Sequence, residues 1–178
     1  FPFTAFASLS KMKKRTITLN GFSKAYAMTG WRIGYIAAPE EIVSRACKIH
    51  QYSALCVSTF AQYGAVEAIK NADHEVKKMA DSYEERRQFF SEAMTQMGLT
   101  TALSDGAFYC FSDIRSTKLS SLEFATALLK QEKVAVVPGD AFGKEGEGYI
   151  RSCIATKSDD LKTSLLRIKR FLDRLNNE

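Results

Sequence analysis

The chain has 178 residues, 46% hydrophobic and 25% charged, with a formal net charge of +5. This is ordinary globular composition, with apolar residues enough for one large core or two small ones, and no run of 18 apolar residues exists to cross a membrane. The first residue is not Met, and the opening FPFTAFASLSKMKKR puts apolar residues ahead of charges, the reverse of a secretory signal. The chain therefore reads as part of something longer. Its densest basic cluster, Lys11, Lys13, Lys14 and Arg15, reads as a solvated turn before a strand. Elsewhere positive charge is interleaved with acids, as in HEVKKMADSYEERR, which suits an exposed helix face better than a nucleic-acid footprint.

In chain order, TITLN (16–20) and RIGYIAA (32–38) have strand composition. After Pro39, Glu40 and Glu41 favour a helix N-terminus electrostatically, and Ile42, Ala46 and Ile49 continue one helical face. Residues 60–70 predict a second, short helix. Between 75 and 97, Val76, Met79, Ala80, Tyr83, Phe90, Met94 and Met97 recur at helical steps, predicting a long amphipathic helix stopped by Gly98. GAFYCF (106–111) reads as a strand. Ser120 and Glu123 form a capping-box pattern opening a helix to about 130. KVAVV (133–137) reads as a strand closed by Pro138, Gly139 and Asp140, and GYIRSCIAT (148–156) as another. Leu161, Leu165, Ile168, Leu172 and Leu175 describe a terminal helix with Ser158 as its cap.

Strands alternating with helices argue for an α/β or α+β chain. The long helix is the natural bridge between two lobes. The first lobe has two convincing strands, too few for a sheet covered on both faces, so it reads as incomplete. Cys47, Cys56, Cys110 and Cys153 lack CxxC spacing and mostly have apolar neighbours, which predicts reduced, partly buried thiols in a cytoplasmic protein. His50 and His74 have no partners at metal-ligand spacing and lie in no catalytic motif, which argues against a zinc site or a Ser/His/Asp triad.

Three cations stand out. Lys24 sits among the small residues Gly21, Ser23 and Ala25, which would let a flat ligand approach; a lysine amine forms imines when it is deprotonated. Its alternative is an exposed loop lysine. Arg32 lies between Gly30 and Gly34, with room for a phosphate that its planar fork would match. Its alternative is a structural ion pair. Arg151 interrupts an apolar strand, sharing a face with Tyr149 and Cys153 while Ile150, Ser152 and Ile154 take the other. It needs a partner, either a substrate carboxylate or a neighbouring Asp or Glu.

The segment GFSKAYAMTGWRIG resembles the lysine motif of the pyridoxal-phosphate-dependent aminotransferases of classes I and II, fold type I. The resemblance continues through GAFY (106–109), VAVVPGDAFG (134–143) and GYIRSCIAT, in the family's order. It implies an α/β fold corresponding to the C-terminal part of such an enzyme. Residues 1–72 would end the large cofactor-binding domain, and residues 73–178 would form the α+β small domain. It further implies that Lys24 forms the Schiff base with pyridoxal 5'-phosphate and acts as the base that moves the α-proton. Arg32 would hold the cofactor phosphate, with Ser23 adding a hydrogen bond there, and Arg151 would hold the substrate's α-carboxylate. The reaction implied exchanges an amino group between an L-amino acid and a 2-oxo acid.

Members of that family are more than twice this length, and their N-terminal half supplies the acid beneath the pyridine nitrogen and a phosphate-binding helix terminus. The isolated chain is therefore expected to be inactive. The family also implies a homodimer, with residues 53–62 as the stretch reaching a neighbour's cofactor. Ser104 stands where Pro is usual, a departure expected to affect a turn. Two alternatives share features of the sequence. One is another fold type I enzyme, such as a C–S lyase. The other is a non-catalytic aminotransferase-like module of a transcription regulator, although no helix-turn-helix is visible.

Overall fold

Two antiparallel sheets and five α-helices make up the described residues, 3–176, of the computed structural model. The chain divides into two compact units, Phe1–Met79 and Ala80–Glu178.

In the first unit, β1 (Thr18–Gly21) pairs with β2 (Gly34–Ala37) from Thr18↔Ala37 to Gly21↔Gly34. The first strand starts two residues later than its composition predicts, and the second is shorter at both ends. Thr16 turns its hydroxyl back to the Met12 carbonyl at 2.8 Å, and Arg32 adopts a left-handed backbone, so neither joins the ladder. Helix α1 (Glu40–Ala54) starts after Pro39 with Glu40 and Glu41 in its first turn, as expected, and α2 is Thr59–Asn71. Little of this unit is buried. Phe22, Met28 and Ala65 form its core cluster, while Leu19, Tyr52, Leu55, Phe60 and Tyr63 are each at least 74% exposed. A two-stranded sheet is marginal alone, and the large apolar side chains left in water here form an uncovered apolar surface.

Helix α3 (Asp73–Gln96) matches the long helix read from the sequence. Phe90 and Met94 of its stripe are buried in the core of the second unit, with Tyr83 and Met97 packed at the margin.

The second unit is built on a three-stranded sheet ordered β3 (Tyr109–Asp113), β5 (Tyr149–Cys153), β4 (Val137–Pro138). One face packs on α4 (Ser121–Glu132) and α5 (Ser158–Leu175) through Ile150, Phe124, Leu128, Ile168 and Phe171. The alternation read from GYIRSCIAT holds: Ile150, Ser152 and Ile154 are buried, whereas Tyr149 and Arg151 are half-buried and Cys153 is exposed. The capping box also forms, with Ser120 Oγ accepting from Glu123 N–H and the Glu123 carboxylate accepting from Ser120 N–H at 2.9 Å.

Four local readings are corrected. The strand expected at 106–111 begins at Tyr109, because Ala107 takes a positive φ of 69°. The strand expected at 133–137 pairs only at Val137 and Pro138; Lys133, at φ 57°, instead ends α4 and donates its N–H to the Leu129 carbonyl. Ser158 is the first residue of α5 and not its cap, a place taken by Lys157 without a side-chain bond. Only Cys110 is buried; Cys47, Cys56 and Cys153 are exposed, because apolar neighbours in sequence do not cover them in space.

Glu132 closes α4 against α5. Its side chain is 1% exposed and accepts from Arg170 Nε at 3.0 Å and from Arg174, while Arg167 donates to its backbone carbonyl at 3.2 Å.

Candidate active site

The residues expected to bind the cofactor share one loop. Antiparallel β1 and β2 end at the facing pair Gly21 and Gly34, and residues 22–33 connect them. Phe22 and Met28 bury their side chains and tie the loop together, Phe22 N–H donating to the Ile33 carbonyl and Met28 N–H to that of Phe22, both at 3.2 Å. Tyr26 and Tyr35 flank the Phe22 ring at 5.2 and 6.0 Å. Anchored by this apolar knot, the polar residues are left outside: Lys24 and Arg32 are exposed and Ser23 is half-buried.

Arg32 caps the 3-10 turn Thr29–Trp31 in the left-handed region, φ 53° and ψ 50°. Its Nη1 donates to the Thr29 carbonyl at 2.8 Å, and Thr29 Oγ1 donates to the Ser23 carbonyl at 2.9 Å. Thr29 thus links the Ser23 and Arg32 ends of the loop, a role the sequence reading does not assign. One of five guanidinium N–H donors is spent in that bond, and the chemistry of the fork leaves four for a ligand.

The two glycines beside Arg32 do different things. A Cβ on Gly30 would meet nothing within 4 Å, so the space expected there exists. A Cβ on Gly34 would lie 2.8 Å from the Asn20 carbonyl oxygen, so this glycine serves close strand pairing and not ligand access. Behind the turn, Trp31 is seated on α2: a Cβ on Gly64 would fall 2.7 Å from its ring.

An amine, a hydroxyl and a guanidinium in one loop, with open space at Gly30, form a donor set that fits a ligand bearing both an aldehyde and a phosphate. Among the described residues no group of three or more His, Cys, Asp and Glu could hold a metal, and no helix is long and apolar enough to cross a membrane.

Arg151 lies in the second unit, at the centre of the sheet's outer face. It stands opposite Phe111 on β3 and Val137 on β4. Among the described residues no carboxylate pairs with it. Its guanidinium carbon instead lies 4.2 Å from the Tyr109 ring centroid and 4.3 Å from that of Phe142. The nearby Arg115 is different, being paired with Asp113 at 2.5 Å; this pair holds the Asp113 carboxyl below its ordinary range. Tyr109 and Phe142 are not singled out by the sequence. Both lie within motif segments, GAFY and VAVVPGDAFG, but nothing in one dimension shows that their rings meet Arg151.

Comparison with known proteins places these features in context. Residues 2–168 match the family model for aminotransferase class I and II. YugH of Bacillus subtilis (strain 168) is 49% identical over 172 residues, covering 97% of this chain and 45% of that protein. Aromatic-amino-acid aminotransferase 2 of Thermococcus litoralis is 45% identical over 168 residues, 93% of this chain and 43% of its own length. The crystal structure of aromatic aminotransferase from Pyrococcus horikoshii OT3 superposes with a TM-score of 0.94 at 45% identity, over 98% of this chain and 47% of that one. The chain thus spans less than half the length of these relatives.

Proposed function

Because the chain belongs to the aminotransferase class I and II family, and its mixed helix and sheet is the C-terminal part of a fold type I aminotransferase, we propose that it is the share of a pyridoxal-phosphate-dependent transaminase that carries the lysine, the phosphate-binding arginine and the carboxylate-binding arginine. In this reading residues 1–72 end the large cofactor domain and residues 73–178 form the small one. The substrates of the parent enzyme are an L-amino acid and a 2-oxo acid; relatives named for aspartate and for aromatic amino acids support that class. The parent is a cytoplasmic homodimer, and residues 53–62, where Leu55 and Phe60 are exposed, reach toward the neighbouring subunit's cofactor.

One observation carries the proposal: Arg151, half-buried in a sheet, has no acidic partner among the described residues. A guanidinium keeps its charge when desolvated, and a cation removed from water requires an anion or an equivalent partner. A structural ion pair is the alternative that the sequence leaves open. Within these residues it is not formed, which leaves the fork for a carboxylate from solution.

The division of labour follows from the side chains. Pyridoxal phosphate, when bound, supplies the electron sink that makes the substrate's α-carbon acidic. Lys24 would hold the cofactor through Nζ; once the substrate's amine has displaced it there, the released Nζ would take the α-proton and return it to a neighbouring carbon. Arg32 binds the phosphate with the N–H donors not spent on Thr29, and the Ser23 hydroxyl donates to the same group. Arg151 takes the α-carboxylate and so orients the α-carbon.

The test is to incubate the chain with pyridoxal phosphate, reduce with borohydride and map the modified lysines by peptide mass spectrometry. Labelling concentrated at Lys24, and lost in Lys24→Ala, supports the assignment. Labelling spread over many lysines and unchanged in Lys24→Ala refutes a site in these residues. The chain alone is expected to give no sustained transamination; turnover by it would overturn the division of the active site proposed here.

A further inference from the structure

Among the described residues no acid steadies Arg151, yet an anchor for a reacting molecule must be held in place. We propose that Tyr109 and Phe142 are positioning residues whose rings hold the Arg151 guanidinium as an edge-on anchor for a planar carboxylate. The inference rests on the carboxylate role given to Arg151 above and adds what makes that role possible.

The geometry draws on three separate segments. Tyr109 comes from β3, where it pairs with Cys153 and so lies diagonally across from Arg151 on the same outer face. Phe142 comes from the 3-10 turn Gly139–Phe142 that follows β4. Their ring centroids lie 4.2 and 4.3 Å from the guanidinium carbon, well inside cation–π range. Phe142 is itself braced, meeting the edge of Phe111 at 6.4 Å, and Phe111 stacks on Tyr149 at 5.2 Å with 14° between planes. The turn that delivers Phe142 is fixed by backbone: a Cβ on Gly139 would collide with the Gly146 carbonyl and lie 2.7 Å from that of Tyr149.

All five N–H donors of a guanidinium lie in its own plane. Rings that attract the cation through its π face leave those in-plane donors unspent. A carboxylate neighbour would hold Arg151 equally well, but it would occupy the donors and neutralise the charge that the incoming carboxylate needs. Aromatic flanks do neither. They order a long side chain beforehand and so lower the entropy cost of the binding event. The chemistry selects a flat, bidentate anion, as the carboxylate of an amino acid or a 2-oxo acid is.

The experiment uses the 178-residue chain labelled with 15N-arginine and sodium propionate as the probe, with sodium chloride at equal ionic strength as control. The Arg151 Nε–Hε signal is expected at a ring-current-shifted position and to move with propionate but not with chloride. Tyr109→Leu and Phe142→Leu are each expected to remove part of that displacement and to weaken propionate binding about three- to tenfold, the size of a partly exposed cation–π contact. Tyr109→Phe and Phe142→Tyr keep a ring and are expected to behave as the parent, which separates loss of the ring from loss of the fold. If the leucine variants bind propionate as tightly as the parent while Arg151→Gln abolishes binding, the positioning role is wrong and the anchor stands. If Arg151→Gln leaves propionate binding intact, the carboxylate role itself falls.

Discussion

Glu132 offers a sharp test of how the unit carrying Arg151 is held together. Its carboxylate is almost wholly buried, at 1% exposure, while its partners Arg170 and Arg174 are 65% and 48% exposed. The cost of breaking the cluster therefore depends on which side is removed. With Glu132→Leu, the arginines swing into water and an apolar side chain of similar size fills the space. The loss is that of charge-assisted bonds between half-solvated groups, about 1 kcal/mol. With Arg170→Met and Arg174→Met together, the carboxylate stays buried without its cations, and the cost rises to about 3 kcal/mol, the low end for a stranded buried charge. For a unit of about 100 residues, 1 kcal/mol moves Tm by roughly 4–8 °C. The double arginine variant should thus melt about 12–24 °C below the parent, and Glu132→Leu about 4–8 °C below it. Circular dichroism at 222 nm reads this, since α4 and α5 are a large part of the unit's helix. A Glu132→Leu variant that loses as much stability as the double arginine variant would refute the asymmetry and the burial argument behind it.

Two further outcomes are expected. Trp31 is the sole tryptophan and its ring lies over Gly64, so Gly64→Ala should displace it and shift its emission; an unchanged spectrum would mean that the ring is not seated on α2. Acid sensitivity follows from three carboxylates in the second unit, all held below their ordinary range: Glu84 chiefly by its hydrogen bond to Arg87, Asp113 chiefly by its hydrogen bond to Arg115 and Glu123 chiefly by that to the Ser120 hydroxyl. The unfolded chain takes up protons at the ordinary carboxylate pKa and the folded chain only below it. The stability these groups contribute is therefore present above the ordinary carboxylate range and lost as pH falls from there through their lowered folded-state values. Urea midpoints at descending pH should fall less steeply in Ser120→Ala, and equal slopes would count against the capping box as the cause.

What the sequence by itself determined is what neighbours along the chain decide. Helix α3 follows from apolar residues three and four apart, α4 from Ser120 and Glu123, and the two faces of β5 from simple alternation, because each depends on residues within one turn or one pleat. The spacing of Lys24 and Arg32, with the resemblance it carries, needed no coordinates either. The ends of elements were less legible. Arg32, Ala107 and Lys133 take left-handed backbones that no propensity demands of those residue types, and they move three boundaries. Beyond that, tertiary structure decided the partners. It placed Arg151 against Tyr109 and Phe142 with no acid beside it among the described residues, buried Glu132 beneath Arg170 and Arg174, and spent Gly34 on strand pairing while leaving Gly30 open. Each of these joins residues far apart in the chain, and a contact across that distance is set by packing, which no local pattern encodes.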